Sequence, residues 1–258
     1  MNVPHSEWIR PEWPVPAVVR ALITTRSGGT SAGAYGARLG GGMNVGPGCG
    51  DDPAAVAANR ARLQAVLPSE PAWLSQVHGA RVVDAAEAVA AGRPLEADAS
   101  VTDRPGVVTV AMMADCLPVL LADARGRGVA VAHAGWRGLA AGVIQAAARA
   151  LRKRLRDPAA DLVAYLGPAI GPDHFEVGQE VLDATCASLD GAHAAFVAGG
   201  AGKFRADLFA LGRLALAQEG VGEVHGGGVC THCDAARFYS HRRDRVTGRH
   251  AALVWLEA

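Results

Sequence analysis

Lysine is almost missing: Lys153 and Lys203 are the only two in 258 residues, so arginine carries nearly all the positive charge. Acidic and basic side chains number 25 each, which excludes both a nucleic-acid-sized basic surface and an acidic tail. Charged residues make up only 19% of the chain and hydrophobic ones 50%, so long disorder is excluded and a sizeable core can form. No apolar run approaches the roughly 20 residues of a membrane helix. The stretch MNVPHSEWIRPEWPVP carries charges and prolines but no apolar run, so it is not a secretory signal, and a cytoplasmic protein with no membrane partner is expected. Five cysteines, an odd number, argue against a disulfide framework and for reduced thiols. Arginine in place of lysine has one chemical use: it holds its charge at any working pH and grips oxyanions with a planar fork.

Residues 1–17 read as an extended, proline-punctuated arm. A first strand is expected at 18–25, then a glycine-rich loop from Ser27 to Gly50, long enough to be functional. Asp51-Asp52-Pro53 opens a helix over 53–67. Residues 71–85 read as strand, bend and strand, and 97–103 as a short connection. The run 106–123 reads as strand, sharp turn and strand, because Pro118 forbids an uninterrupted central strand. A buried strand over 128–135 leads to an alanine-rich helix over 138–155, and another strand follows over 161–172. Helices over 176–189 and 206–219 and strands over 221–229 and 250–257 complete the chain. Alternating strands and helices, without a linker or repeat, predict one α/β domain spanning 1–258: a layered α/β sandwich of mixed sheet flanked by helices.

Three side chains each end a predicted strand. His133 follows the apolar GVAVA and precedes a helix, where ligands gather in open α/β sheets; alone it is as readily a hydrogen-bonded turn histidine. Cys116 follows Asp115 in a polar turn between apolar runs, although a cysteine is more often a small hydrophobe. His78 lies in Ser75-Gln76-Val77-His78-Gly79, where a plain surface histidine is the blander reading. Together, two imidazoles and one thiolate suit zinc, and copper also accepts them. Three protein ligands leave a fourth position open, the catalytic arrangement. A second cluster joins His225, Cys230, His232, Cys233 and His241. Its Cys230-Thr231-His232-Cys233 is a lone CxxC, without the second pair of a zinc finger and without a thioredoxin-like opening of a βαβ unit. Arg26, Arg137, Arg242, Arg243 and Arg249 are candidates for a phosphate or carboxylate ligand. The glycine loop after Arg26 fits neither a Walker nor a dinucleotide fingerprint.

The motifs TTRSGGTSAGAYG, MNVG, DDPAAVAANR, SQVHG, ADCLPVLLAD, HAGWRG, GPAIGPDHFEVG, DLF, FYSHRRD and TGR occur in this order. From about Thr24 to Trp255 the chain resembles the YfiH family, catalogued as laccase-domain or multicopper polyphenol oxidase proteins. The resemblance implies a YfiH-like α/β sandwich. It implies metal ligation by His78, Cys116 and His133, and a substrate-binding place for Asn44 of the MNVG motif beside the arginines. It also implies purine nucleoside chemistry: phosphorolysis of adenosine, inosine and methylthioadenosine, and deamination of adenosine. Nucleoside and phosphate would be the small-molecule partners, and zinc (or copper) the cofactor. Two alternatives come with the family: editing of peptidoglycan precursors, by hydrolysis or by binding, and copper-dependent phenol oxidation. The chain departs from the usual pattern at Ala169, Phe175, His241 and the His232–Cys233 pair.

Each reaction asks for different groups. Deamination needs a metal-activated water and a carboxylate to carry protons, for which Asp98 and Asp115 are the candidates. Phosphorolysis needs phosphate held against C1′ by arginines, expected to be Arg26 and one of the paired Arg242 and Arg243, with help from the helix expected at Gly138. Oxygen reduction needs several copper centres, and nine histidines without a single HxH pair do not provide them.

Overall fold

The computed structural model describes residues 5–38 and 40–258, so the first four residues of the expected arm lie outside the described part. Two sheets position everything that follows. The smaller contains β1 (Val19–Ile23), β4 (Val108–Met113) and β9 (His250–Leu256), all antiparallel, with β9 central. The larger contains β2 (Val82–Asp84), β3 (Ala99–Thr102), β5 (Leu117–Asp123), β6 (Val129–Ala134), β7 (Leu162–Leu166) and β8 (Glu223–Gly226), in the spatial order β8-β7-β5-β6-β3-β2. Its outer pairs β7–β8 and β2–β3 are parallel and its inner pairs antiparallel, so the sheet is mixed.

Period-2 alternation decides which residues meet between the sheets. Ala111 and Met113 of β4 and Ala252 and Val254 of β9 face Leu120 and Ala122 of β5 and Val129 and Val131 of β6. The alternate residues point the other way. Leu117, Val119 and Leu121, with Ala130 and Ala132, pack under the helices α4 (Val143–Leu155), α5 (Gln179–Cys186) and α6 (Leu208–Gln218). On the far face of the small sheet, Val108, Val110 and Leu253 are covered by Trp8, Trp73 and Leu63 of α1 (Pro53–Gln64). The result is a mixed α/β sandwich: helix, sheet, sheet, helices. α1 begins where the carboxylates predicted it, with Asp52 accepting a hydrogen bond from the Ala54 N–H at 2.9 Å and Pro53 in the first turn. α2 (Ala85–Ala90) is capped in the same way by Asp84.

Several elements differ from the sequence-based expectation. The segment read as a connection, 97–103, contains β3, a buried strand of the large sheet. Its four residues ASVT are small and buried on both faces, so they show neither alternation nor a strongly apolar run. The helix expected over 138–155 is two helices, α3 (Trp136–Ala140) and α4, separated at Gly142, whose φ of 82° no helix interior allows. The helix expected from 176 starts at Gln179, because Glu176–Val177 pairs with 204–205 in a small ribbon. The loop from Ser27 to Gly50 contains a short ribbon of Ser27–Gly29 with Gly41–Gly42. Buried Asn59 of α1 pins it, its Nδ2 donating to Ser31 Oγ, Gly42 O and Asn44 O. Within the arm, Trp8 is buried and Ile9 bridges Ile23. Among the described residues, no helix is long and apolar enough to cross a membrane.

Candidate metal centre

Strand register brings the site together. β3 pairs with β6 so that Ala99 lies opposite Ala132, and the main-chain N–H of His133 donates to Asp98 O at 2.8 Å. β5 pairs with β6 so that Pro118 lies opposite His133, which sets Cys116 just beyond the same strand ends. Pro118 is tolerated because it is the second residue of its strand, straight after the turn. His78 arrives on the 76–79 turn, which is tied at two points. The Gln76 amide imitates a strand, donating to Met112 O and accepting from Met112 N at 2.7 Å each. The Asp98 carboxylate accepts the N–H groups of Val77, His78 and Gly79 at 3.1, 2.9 and 2.7 Å.

The donor atoms of His78, Cys116 and His133 all lie within 4.8 Å of one another, the one such group of metal-capable side chains among the described residues. Cys116 Sγ is 3.7 Å from His78 Nε2. Tetrahedral zinc with bonds of about 2.0 and 2.3 Å places nitrogen and sulfur about 3.5 Å apart, so this pair is at binding distance. His133 Nδ1 donates to Asp98 Oδ1 at 2.9 Å, which leaves Nε2 for the centre and supplies the carboxylate–histidine–metal relay usual at zinc sites. The donor set and its spacing therefore fit a mononuclear metal ion.

Charge supports the same fit. Burial alone would push the Cys116 thiol up, but the His133 charge and hydrogen bonds from both imidazoles bring it down to about 6. Burial alone would lower His133, but the Cys116 thiolate and Asp98 raise it to about 9. Asp98 is held below the usual carboxylate range, its own burial outweighed by His133 and the Gly79 and Val77 N–H groups.

Two of its turns are strained. His78 and Asp115 have φ of 61° and 88°, the left-handed region that non-glycine residues rarely occupy. Hydrogen bonds hold both: Asp98 grips the His78 N–H, and Asp115 accepts from Thr231 Oγ at 2.6 Å and from Arg242 N at 2.7 Å. Gly135, straight after the His133 strand, is needed for a different reason. A Cβ there would lie 2.8 Å from the His78 ring and 2.9 Å from Cys116 Sγ.

A cavity of about 630 Å³ opens over the centre. Arg60, Arg137 and Arg249 line it and stand in none of the described ion pairs, while Arg60 Nε donates to Val45 O and Arg249 Nη1 to the Thr247 and Gly248 carbonyls. Arg60 lies 3.9 Å over the Trp73 ring and Arg137 4.4 Å over Trp136. Met112, Gln76 and His241 complete much of the wall. A larger groove of about 790 Å³ lies elsewhere, but its Arg127 and Arg154 are neutralised by Asp123, Asp157, Asp84 and Asp103.

The other expected residues are placed differently. Arg26 is outside the cavity, donating to the carbonyls of Gly36 and Ala34 at 2.6 and 3.1 Å. Arg242 is also outside, donating to Glu176 O, and Arg243 braces the 231–238 loop through Thr231, His232 and Phe238 carbonyls. Asp115 does not line the cavity; both its oxygens serve the turn described above. Asn44 is buried below the wall, its Oδ1 accepting from the N–H of Gly46 and of Arg249 at 2.9 and 2.8 Å. The second cluster is divided: His241 joins the metal cavity, while Cys230 and Cys233 line another. Sequence reasoning missed Arg60, Trp73 and Met112 as lining residues: Arg60 ends the DDPAAVAANR motif, which reads only as a helix start, and Trp73 and Met112 lie on segments that read only as strands. It also left Asp98 as only one of two carboxylates, although its place at the start of β3 is what joins it to His133.

Residues 20–257 match the model of a family described as multi-copper polyphenol oxidoreductase laccase. The chain is 50% identical over 253 residues to a purine nucleoside phosphorylase of Pseudomonas aeruginosa, covering 98% of this chain and 99% of that one. It is 45% identical over 254 residues to the purine nucleoside phosphorylase YfiH of Escherichia coli, covering 97% and 99%. Among solved structures it is similar to a Neisseria meningitidis DUF152 protein, with a TM-score of 0.89 at 49% identity, covering 98% of this chain and all of the other. It is similar also to YlmD of Geobacillus stearothermophilus, with a TM-score of 0.89 at 30% identity, covering 100% and 98%.

Proposed function

Since the chain belongs to the laccase-domain family to which the YfiH proteins belong, we propose that it is a purine nucleoside phosphorylase whose His78–Cys116–His133 centre holds zinc. The observation that carries this reading is one cavity with two parts: a three-donor metal centre and, beside it, three arginines without carboxylate partners. Such arginines suit phosphate, and about 630 Å³ is within the range of a small-molecule site.

In phosphorolysis a phosphate oxygen bonds to C1′ as the bond from C1′ to the purine nitrogen breaks, and the base leaves with the bonding electrons. Arg60, Arg137 and Arg249 hold the phosphate and offset its charge in this reading. Stacking on Trp73 and Trp136 keeps the Arg60 and Arg137 guanidinium planes in place. Met112 offers an apolar wall to the base, and His241 a ring nitrogen that hydrogen-bonds to it. Asp98 keeps His133 and the His78 turn in register. His78, Cys116 and His133 would hold the zinc, which would supply Lewis-acid chemistry beside the arginines. Adenosine deamination by water at C6 would draw on the same three ligands. The oxidase activity in the family's description asks for several copper centres, whereas one three-donor group converges among the described residues.

The test is product analysis with adenosine, with and without phosphate, before and after chelation, and with His133→Ala. Adenine formed only with phosphate, and lost on chelation and in the variant, is the expected result. Inosine formed without phosphate assigns the deaminase activity. Zinc-loaded protein that converts neither overturns the proposal and directs attention to peptidoglycan precursors.

A further inference from the structure

The Cys230-Thr231-His232-Cys233 motif takes no part in the metal centre. It follows β8, the strand that runs parallel to β7 at the edge of the large sheet, through Gly227 and Gly228. Cys230 forms a bridge with Ala169, which fixes its main chain. Its sulfur accepts two main-chain N–H groups, from Gly171 at 3.2 Å and from Cys233 at 3.4 Å. Cys233 is exposed, Cys230 is half-buried, and both thiols are free. Both line a cavity of about 570 Å³ that is distinct from the metal cavity, with a wall of Gly226, Gly227 and Gly228. The ring of His232 stacks on His174, centroids 4.0 Å apart and 15° from parallel, which steadies the loop between the two cysteines. The Cys233 thiol is raised above its ordinary value, first because it hydrogen-bonds to the Cys230 sulfur.

The remaining cysteines are placed otherwise. Cys116 belongs to the metal centre. Cys49 is bonded to Asn44 and Gly46 O, and Cys186 is exposed on α5.

We propose that Cys230 and Cys233 are a dithiol site that exchanges with small-molecule disulfides and closes reversibly to an intramolecular disulfide. The Cys230 thiolate attacks one sulfur of the small disulfide. A mixed disulfide forms, the original S–S bond breaks, and one small thiolate leaves and takes up a proton. Cys233 then loses its proton to solvent and attacks the Cys230 sulfur. The second small thiolate leaves and is protonated. Two protein thiols have been oxidised to one disulfide, and one small disulfide has been reduced to two thiols. The short spacing makes the second step fast, because little chain entropy is lost in bringing the two sulfurs together. A dithiol reductant runs the sequence backwards.

The experiment treats the full chain with glutathione disulfide, blocks the remaining thiols with iodoacetamide, and maps peptides by mass spectrometry. Loss of both alkylatable thiols from the 230–233 peptide, with an internal disulfide in their place and recovery on dithiothreitol, is expected. Cys186, an exposed thiol outside the cavity, provides the comparison within the same molecule. In Cys233→Ser a glutathione adduct should remain on Cys230. In Cys230→Ser, Cys233 should carry no more adduct than Cys186. A wild-type peptide that stays fully alkylatable overturns the proposal. Adducts that accumulate on Cys233 of Cys230→Ser but not on Cys230 of Cys233→Ser overturn the assignment of Cys230 as the attacking sulfur. Neither result depends on the nucleoside chemistry proposed above, so this inference and that reading fail separately.

Discussion

Replacing Asp98 by asparagine tests the centre at its most connected residue. One Asp98 oxygen accepts from the His78 N–H and from His133 Nδ1, and the other from the N–H groups of Val77 and Gly79. Asparagine has one acceptor oxygen, so its NH₂ must face one of these pairs of donors. Two hydrogen bonds to a buried carboxylate are lost, each contributing about 1.5–3 kcal/mol. The turn that holds His78 at φ 61° loses part of what keeps it there. A stability loss of about 3 kcal/mol or more follows, reduced by any relaxation. Outer carboxylates of this kind typically alter metal affinity by about 10–100-fold. Asp98→Asn should therefore bind zinc weaker by that factor, measured by competition with a chromogenic chelator, and should unfold at lower urea. Asp98→Glu, which retains the charge, separates loss of charge from loss of shape. Zinc affinity equal to wild type in Asp98→Asn, with an unchanged near-ultraviolet circular dichroism spectrum, would refute the reasoning.

Gly135→Ala should abolish stoichiometric zinc binding, because its Cβ would occupy space 2.8 Å from the His78 ring and 2.9 Å from Cys116 Sγ; metal analysis of the purified variant decides, and one bound zinc refutes it. Zinc binding near pH 7.5 should release about one proton, since Cys116, at about 6, is already a thiolate while His133, at about 9, must give up its Nε2 proton. Calorimetry in buffers of different ionisation enthalpy counts that proton, and zero release refutes the paired charges. His250 is held down to about 3, by burial first and then by the charges of Arg26 and Arg249. Its neutral form therefore stabilises the fold fully above the unfolded value of about 6.5, and that contribution is lost as pH falls towards 3. At pH 5 the loss is about 2 kcal/mol relative to neutral pH, so the stability gap between wild type and His250→Gln should shift by that amount in urea titrations at pH 5 and 7.5. Arg137→Ala should raise the KM for phosphate, while Arg26→Ala, which removes a side chain spent on loop carbonyls, should leave that KM near wild type. The reverse pattern would return Arg26 to the phosphate site.

Much of the fold can be read locally. The carboxylates and proline that open α1, the alternation in β4, β5, β6 and β9, and the turn forced ahead of Pro118 are short-range properties of side chains and main-chain geometry. His78, Cys116 and His133 each end a predicted strand, but singly each has a blander reading; it is the resemblance of their motifs to the YfiH family that implies a shared metal site. β3 was illegible because small residues buried on both faces show no pattern, and the Gly142 break because one glycine inside an alanine-rich helix is compatible with continuity.

The sequence thus established the chemical types at the centre and the elements that bear them. Which arginines face the cavity, which carboxylate holds His133, and why Gly135 admits no side chain depend on contacts between residues far apart in the chain. Arg26 and Arg60 are equally cationic as letters. The packing of α1 against the small sheet and the hydrogen bonds of the loops leave Arg26 on carbonyls outside the cavity, and place Arg60, which donates to Val45 O and stacks on Trp73, in the cavity wall. Main-chain preferences act over a few residues, whereas the direction of a long side chain is decided by whatever else the fold places within hydrogen-bonding reach of it.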